Sequence, residues 1–228
     1  MLIGILQCGH SPAELQPHVG DYPAMFERLL DGHGFEFRTW AVCDMEFPNS
    51  VDAADGWLIT GSRHGAYEPH PWIPPLEAFI RDCFGAEVPM VGICFGHQII
   101  AQALGGTVEK FKDGWAVGPA TYAFDGHGDL TINAWHQDQV TARPDGARRV
   151  ASHPFCENAA LLYDGRALTV QAHPEYGADF IAGLIETRGP GVVPPDLLAR
   201  ARDTLSTPTD TARLAAIIAR FFKDRTYG

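Results

Sequence analysis

The chain has 228 residues, which is enough for one α/β domain with a substantial core. Its formal net charge of −11 argues against binding to nucleic acid or to an anionic membrane, since both need basic clusters. With 46% hydrophobic and 20% charged residues, no low-complexity tract and no repeat, the composition is that of a folded globular protein. We therefore expect a single domain over residues 1–228 that acts on a small molecule, with neither nucleic acid nor membrane as a partner.

We expect no targeting segment among the N-terminal residues. The apolar run from Met1 to Leu6 is too short for a signal sequence and has no basic residues before it, and no stretch is long enough to span a membrane. We expect a cytoplasmic protein.

The cysteines are too scattered for a disulfide framework or a zinc site. They stand at positions 8, 43, 83, 94 and 156, an odd number with no Cys-x-x-Cys pair and no Cys/His spacing typical of zinc. The other histidines share no regular spacing either, so we expect no metal and no cofactor. One cysteine is a candidate nucleophile, and the other four are expected to be small apolar residues.

The first half of the chain alternates apolar strands with amphipathic helices. One helix is predicted after Asp21 and Pro23, one after Pro74, and one after Cys94 that ends at Gly105. This alternation is typical of a doubly wound, mostly parallel central sheet flanked by helices. The predicted strands are 2–7, 35–42, 56–60 and 88–93.

After residue 106 the pattern changes to short strands separated by Gly, Asp and Asn turns. Strands at 115–124, 130–135, 149–151 and 161–163 suggest a small antiparallel layer, and 167–172 returns to a core strand. Three helices are predicted at 178–187, 195–205 and 208–222. For the last one, Thr207 is the expected N-cap and Pro208 the expected first-turn residue.

Cys94 stands where a predicted strand passes directly into a helix. An apolar run from Val88 to Ile93 precedes it, and a helical pattern follows at once. Gly92 and Gly96 flank it, as in a nucleophile elbow that carries cysteine in place of serine. Such a turn holds the side chain in a strained, exposed position near the positive end of the helix, where a thiolate is favoured. The alternative is a structural cysteine on a core strand, because free cysteines are among the most buried residues.

His173 and Glu175 can supply the base and the orienting acid that a cysteine nucleophile needs. They follow the predicted strand 167–172 at its carboxyl end, the edge where Cys94 is also expected. Pro174 between them has a fixed φ and stiffens the turn, so both side chains can face the same way. The alternative is an ordinary turn that ends a strand, since such turns favour proline and polar residues.

Taken together, these features resemble the class I glutamine amidotransferases over essentially the whole chain. The segment Gly-Ile-Cys-Phe-Gly-His-Gln at 92–98 is similar to the nucleophile motif of that family, and His-Pro-Glu at 173–175 is similar to its base and orienting acid. The run Trp-His-Gln-Asp-Gln-Val at 135–140 resembles the His-x-Asp segment found in the amidotransferase part of GMP synthetase and in stand-alone relatives that cleave γ-glutamyl peptides. The resemblance implies the fold of that family and a two-step acyl transfer.

In that reaction, the Cys94 thiolate would attack the γ-amide carbon of glutamine or of another γ-glutamyl compound. His173 would protonate the departing ammonia or amine, and water would then hydrolyse the γ-glutamyl thioester. Backbone N–H groups would stabilise the oxyanion of each step. Phe95, at the helix start, is one expected donor, and in the glycine-bounded loop that follows the third strand the second is Ser62 or, as a weaker candidate, Gly61.

The resemblance also implies that Gln98, His136 and Asp138 bind the substrate. Gln98 lies one helical turn after Cys94 and is similar to the residue that seats the glutamyl portion; the alternative is a side chain that faces solvent. His136 and Asp138 match the His-x-Asp segment; the alternative is a polar loop. Many members have a small Ser or Asn before this histidine, and we expect the ring of Trp135 to reshape the pocket.

Three functions remain open at this point. The first is a glutamine-hydrolysing subunit that delivers ammonia to a separate synthetase, since the chain has no P-loop or other ATP-binding motif. The second is a stand-alone γ-glutamyl hydrolase or peptidase. The third is a catalytically idle binding or regulatory protein of the same fold. The intact set of Cys, His and Glu argues against the third function, and the lack of a fused domain favours the second over the first.

Overall fold

The computed structural model describes all 228 residues and contains eleven strands and seven helices. The strands are β1 Leu2–Leu6, β2 Glu36–Trp40, β3 Gly56–Ile59, β4 Met90–Ile93, β5 Thr107–Lys110, β6 Ala116–Phe124, β7 Gly128–His136, β8 Asp138–Ala142, β9 Arg148–His153, β10 Cys156–Tyr163 and β11 Ala167–Val170. The helices are α1 Gln16–Val19, α2 Tyr22–Leu29, α3 Ile73–Gly85, α4 Phe95–Ala103, α5 Ala178–Thr187, α6 Pro195–Asp203 and α7 Thr211–Asp224, with short 3-10 turns at Val42–Asp44 and Val51–Ala53.

Nine strands form one sheet in the order β2-β1-β3-β4-β11-β10-β9-β6-β7. The first five of these pair in parallel, and the last four continue the same sheet with antiparallel pairing. A separate two-stranded antiparallel sheet joins β5 to β8. The predicted class is thereby confirmed, and the antiparallel strands prove to be largely an extension of the central sheet.

Helices cover both faces of the parallel strands, as a doubly wound sheet requires. On one face α2 and α7 bury Phe26 and Phe222 against β1, β3 and β4. On the other face α3 and α4 bury Ile80 and Ile99 around Trp57 of β3. Each of these large apolar side chains stabilises the fold by roughly 1.5–3 kcal/mol through burial, so the helices hold the carboxyl ends of the parallel strands in fixed positions. None of the helices is both long and apolar enough to cross a membrane.

The last helix begins later than the sequence predicts. The predicted N-cap Thr207 and first-turn Pro208 are wrong, because the helix starts at Thr211. The cause is a tertiary contact of the preceding residue: Asp210 N–H donates to Thr131 O at 2.8 Å, and Asp210 Oδ2 accepts from Thr131 N–H at 2.9 Å. These bonds attach the residue before the helix to β7, and the helix begins after it.

Candidate active site

Cys94 occupies a strained turn between β4 and α4. Its φ of 53° and ψ of −101° lie in a region that residues with a side chain rarely adopt. Cys94 N–H donates to Val170 O of β11 at 2.8 Å, and Cys94 O accepts from Gln98 N–H at 3.0 Å, so the backbone is held on both sides. The side chain is only 6% exposed, so the exposed position predicted for it is wrong. It lies instead in the wall of a cavity.

Two glycines make this turn possible by close approach of the backbone. A Cβ atom on Gly92 would lie 2.4 Å from Gly96 O, and a Cβ atom on Gly96 would lie 2.2 Å from Ile59 O. The first turn of α4 therefore packs directly on the backbones of β4 and β3. Any larger residue at either position would push the helix, and Cys94 with it, away from the sheet.

His173 and Glu175 meet beside Cys94 at the end of β11. His173 Nδ1 lies 2.7 Å from Glu175 Oε1, and the two side chains are 2% and 0% exposed. The backbone of His173 is fixed on β7, where its N–H donates to Asn133 O at 2.8 Å. The ring of Tyr176 stacks on the imidazole with a centroid distance of 3.8 Å and an angle of 5°. These contacts leave the imidazole little freedom to turn.

The surroundings of His173 favour its protonated form. Burial alone would lower the pKa of His173, but the charges and hydrogen bonds of Cys94 and Glu175 outweigh burial and raise this pKa to about 10. An imidazolium beside a cysteine sulfur is the arrangement that stabilises a thiolate nucleophile.

The three backbone groups predicted to stabilise an oxyanion donate no hydrogen bond within the chain. These are the N–H groups of Gly61, Ser62 and Phe95. Phe95 is the first residue of α4, where a helix has no internal acceptor for it. A Cβ atom on Gly61 would lie 3.0 Å from His173 Cε1 and 3.9 Å from Cys94 Cβ, so the loop after β3 runs directly beside both. Ser62 lines the same cavity.

Gln98 is buried, and the solvent-facing alternative does not hold. Its side chain is 3% exposed on the first turns of α4 and lines the cavity. Gln98 Nε2 donates to Asp138 O at 2.8 Å and to Gln171 Oε1 at 3.1 Å. These bonds fix its amide between the helix and the neighbouring strands.

His136 and Asp138 also line the cavity, and they lie on strands rather than in a polar loop. His136 ends β7, and Asp138 begins β8. Burial, together with the charge of His173, lowers the pKa of His136 to about 3, so this imidazole is neutral. Its two ring nitrogens have no hydrogen-bond partner. Burial raises the pKa of Asp138, and the neighbouring Tyr67 hydroxyl offsets only part of this rise.

The cavity that these residues line has a volume of ≈ 530 Å³. Its wall includes residues that the sequence did not single out, because they belong to no motif and lie far apart in the chain: Tyr22, Tyr67, Trp115 and Arg188. The rings of Trp135 and Trp115 meet edge to face with centroids 6.5 Å apart. Trp135 thus forms an aromatic wall of the cavity together with Trp115. The sequence led us to expect that this ring reshapes the pocket, and the structure places it in the lining.

Two groups of side chains other than Cys94, His173 and Glu175 could hold a metal ion. They are His10 with Cys43 and Asp44, and His64 with Glu68 and His70. His64 and Glu68 of the second group also line the cavity. The sequence predicted no metal site, because these residues show no regular spacing along the chain. They come together only in the folded protein. Cys43, expected to be a small apolar residue, is only partly buried.

Residues 41–179 match the family described as glutamine amidotransferase class-I. Gamma-glutamyl peptidase 4 of Arabidopsis thaliana is 32% identical over 182 residues, which span 73% of this chain and 72% of the plant protein. The glutamine-hydrolyzing GMP synthase of Leifsonia xyli subsp. xyli is 36% identical over 148 residues, which span 56% of this chain and 28% of the synthase.

Solved structures show the same architecture. The crystal structure of a glutamine amido transferase from Methylobacillus flagellatus superposes with a TM-score of 0.75 over 99% of this chain and 94% of that one. Sequence identity in this comparison is 20%, so the likeness concerns the fold.

Proposed function

The chain belongs to the glutamine amidotransferase class-I family, and from this premise we propose that it hydrolyses the γ-amide bond of a γ-glutamyl compound with Cys94 as nucleophile. The observation that supports this most directly is that Cys94 and His173 line the same cavity, with Glu175 Oε1 2.7 Å from the buried imidazole of His173. No metal or organic cofactor is needed for this chemistry. We further propose that residues 1–228 act as one domain of this kind.

In the first step, the Cys94 thiolate attacks the γ-carbonyl carbon and forms a tetrahedral intermediate. Phe95 N–H, with Ser62 or Gly61 N–H, stabilises the oxyanion, and each such donor contributes about 3 kcal/mol in enzymes of this type. The C–N bond then breaks, His173 transfers its proton to the leaving nitrogen, and a γ-glutamyl thioester remains on the sulfur.

In the second step, water attacks the thioester. Neutral His173 takes a proton from the water, the C–S bond breaks, and glutamate leaves as the thiolate is restored. Glu175 keeps the imidazole oriented and stabilises its positive charge without transferring a proton itself. Gln98, His136 and Asp138 position the glutamyl portion.

The size and lining of the cavity favour a γ-glutamyl peptide or conjugate over free glutamine. A volume of ≈ 530 Å³ lies in the range of sites for drug-sized ligands, which leaves room for a leaving amine larger than ammonia. Trp115 and Trp135 offer an apolar wall to such a group. Similarity to a γ-glutamyl peptidase over most of both chains supports the same choice.

A second candidate is a glutaminase subunit that passes ammonia to a separate synthetase. The match to part of a GMP synthase favours this alternative. A catalytically idle binding protein is the third candidate. The presence of Cys94 and His173 in one cavity wall, with Glu175 paired to the imidazole, counts against it.

The experiment measures glutamate release from glutamine, γ-Glu-Gly and glutathione, with α-Glu-Gly as a matched isomer that lacks the γ-linkage. We expect turnover of the γ-linked peptides, none of the α-linked isomer, and a γ-glutamyl adduct on Cys94 after acid quenching and mass spectrometry. Cys94→Ala should remove turnover and the adduct.

The melting temperature of Cys94→Ala, which we expect to change little, controls for folding. Glutamine turnover that depends on an added synthetase would favour the second candidate. Undiminished turnover by folded Cys94→Ala would refute the proposed nucleophile.

A further inference from the structure

Away from Cys94, three side chains with metal-binding atoms converge at the carboxyl ends of β1 and β2. His10 lies in the loop after β1, and Cys43 and Asp44 lie in the 3-10 turn after β2. His10 Nε2 is 2.9 Å from Asp44 Oδ2 and 3.8 Å from Cys43 Sγ. The three ligand atoms all lie within 4.8 Å of one another.

We propose that His10, Cys43 and Asp44 bind a divalent cation of the zinc class in a site with an open fourth position. Imidazole, thiolate and carboxylate are the three ligand types that zinc takes from proteins. Zinc bonds of about 2.0–2.3 Å at tetrahedral angles would set N and O ligands about 3.3 Å apart and N and S ligands about 3.6 Å apart. The two observed separations from His10 differ from these values by only a few tenths of an ångström, and the sulfur and the carboxylate lie within 4.8 Å of each other.

The other nitrogen of His10 has the partner that metal-binding histidines commonly have. His10 Nδ1 lies 2.7 Å from Asp21 Oδ2. Asp21 is itself fixed, because its carboxylate accepts from Ser11 N–H, Tyr22 N–H and Gln7 Nε2, each at 2.8 Å. A carboxylate on the far nitrogen orients the ring and makes the metal-facing nitrogen a better ligand.

The competing arrangement is a protonated His10 that bridges Asp21 and Asp44 as an ion pair. In that arrangement Cys43 has no function, whereas in the metal site its sulfur is a ligand. The role of the Cys43 sulfur therefore distinguishes the two.

The fourth position is accessible from solvent. A cavity of ≈ 770 Å³ adjoins the cluster and is lined by all three ligands and by Arg188. Arg188 Nη2 donates to His10 O at 2.7 Å, and Arg188 also lines the cavity at Cys94. The proposed site is thus separate from Cys94 but adjoins the same wall.

The second cluster is a weaker candidate and serves as a control. His64 Nδ1 and His70 Nε2 lie 3.2 Å and 2.7 Å from Glu68 Oε2. Arg63 Nε donates to His64 Nε2 at 3.4 Å, which favours the tautomer with the proton on His64 Nδ1, where it bonds to Glu68 and blocks a metal. No thiol belongs to this cluster.

Co²⁺ is the probe, because a cobalt–thiolate bond gives a near-ultraviolet charge-transfer band and four-coordinate cobalt gives intense visible bands. Chelator-treated protein is titrated with Co²⁺ and then with competing Zn²⁺. We expect one Co²⁺ per chain and loss of the cobalt spectrum on addition of Zn²⁺. Because Cys94 and His173 could also bind cobalt, the titration is repeated with Cys94→Ser, which should keep both sets of bands.

Variants then assign the ligands. Cys43→Ser should abolish the cobalt–thiolate charge-transfer band. Asp21→Asn should weaken the affinity for Co²⁺ about 10- to 100-fold. His70→Asn should change neither the band nor the affinity. Asp44→Asn provides a second ligand test if Cys43→Ser does not fold, and it should weaken affinity at least tenfold. A band that disappears with Cys94→Ser but persists with Cys43→Ser, or the absence of any band with millimolar Co²⁺, would overturn the proposal. Neither result would bear on γ-glutamyl hydrolysis, which is measured by glutamate release.

Discussion

At the scale of single residues, Cys94 is held in a backbone conformation that costs about 1–3 kcal/mol for a residue with a side chain. The bond from Cys94 N–H to Val170 O and the packing of α4 on the sheet offset this cost. The strain fixes the direction of the side chain before any substrate binds. Because the backbone positions the proposed nucleophile, the remaining requirement of the proposed reaction is the orientation and charge of His173.

The first prediction separates the roles of His173 and Glu175. Glu175→Gln keeps the size of the side chain and a hydrogen bond to His173 Nδ1 but removes the charge that stabilises the imidazolium. It should lower kcat with a smaller effect on KM, whereas His173→Ala should stop thioester formation almost entirely. Steady-state kinetics of both variants on the best γ-glutamyl substrate provide the measurement. A loss in Glu175→Gln that equals or exceeds the loss in His173→Ala would require a direct proton-transfer role for Glu175.

The second prediction concerns the loop beside the imidazole. In Gly61→Ala the new Cβ atom would lie 3.0 Å from His173 Cε1, so the ring or the loop must shift by a few tenths of an ångström. Small misplacements of reacting groups reduce rates by up to about 100-fold, and we expect kcat/KM to fall by about 10- to 100-fold. Gly85→Ala is the matched control, because a Cβ atom there meets nothing within 4 Å. Equal activity of the two variants would show that the loop after β3 does not constrain His173.

At the scale of elements, the position of Cys94 depends on how α4 docks against β11. His97 lies three residues after Cys94 and is fully buried, and its Nδ1 is 2.7 Å from Thr169 Oγ1. Burial lowers the pKa of His97 to about 3. The neutral imidazole of His97 thus links the helix that begins after Cys94 to the strand that precedes His173.

A pH dependence of stability follows as the third prediction. Because the pKa of His97 is lower in the folded protein than the ordinary 6.5, its contribution to stability is fully present above pH 6.5 and is lost as the pH falls towards 3. Between pH 7 and pH 5 the loss should be about 2 kcal/mol. The free energy of unfolding, measured with urea at each pH, should depend less on pH in His97→Gln than in the parent protein. His18→Gln, at an exposed site, controls for the loss of one imidazole, and identical pH dependence in the parent protein and His97→Gln would contradict the prediction.

The elements that the sequence predicted well are those whose apolar pattern is complete within one segment. The parallel strands and α5 are of this kind. Helix α1 and strands β5 and β8 were not predicted, because each is short and offers few buried residues; in β5 only Val108 is buried. The start of α7 depends on Asp210 bonding to Thr131, which no local pattern contains. Local patterns therefore give element type, and contacts between distant segments decide several boundaries.

At the scale of the whole molecule, the sequence predicted those site residues that lie in short continuous motifs. Cys94, His173 and Glu175 were expected together because each follows a core strand at its carboxyl end. The structure places Cys94 and His173 in the wall of one cavity, with Glu175 2.7 Å from the imidazole. Arg188 and the Trp115 wall could not be predicted, since they reach the cavity through the packing of α5 and β6 on other elements. The proposed cation site was missed for the same reason.

The fourth prediction uses all five cysteines. Burial raises the pKa of Cys83 and Cys156 to about 12 and holds that of Cys8 well above its usual range, and burial with Asp44 raises that of Cys43 to about 11. Cys94 combines access to the cavity with the imidazolium of His173, so iodoacetamide at neutral pH should modify it well ahead of the others. Peptide mass spectrometry over a time course provides the measurement, and His173→Ala should remove the preference. Uniform labelling would count against the assignment.

The place of β11 in the sheet also has a consequence for biosynthesis. β11 lies between β4 and β10, and it supplies both the carbonyl that holds Cys94 and the turn that carries His173. While the ribosome is still translating the first 166 residues, Cys94 has neither the carbonyl that holds its backbone nor His173, its proposed base. We expect nascent chains stalled before β11 to show no preferential labelling of Cys94 by iodoacetamide, in contrast to the full-length chain. The thiol would then gain its reactivity only with the last strand of the fold, so incomplete translation products would carry an ordinary cysteine at position 94.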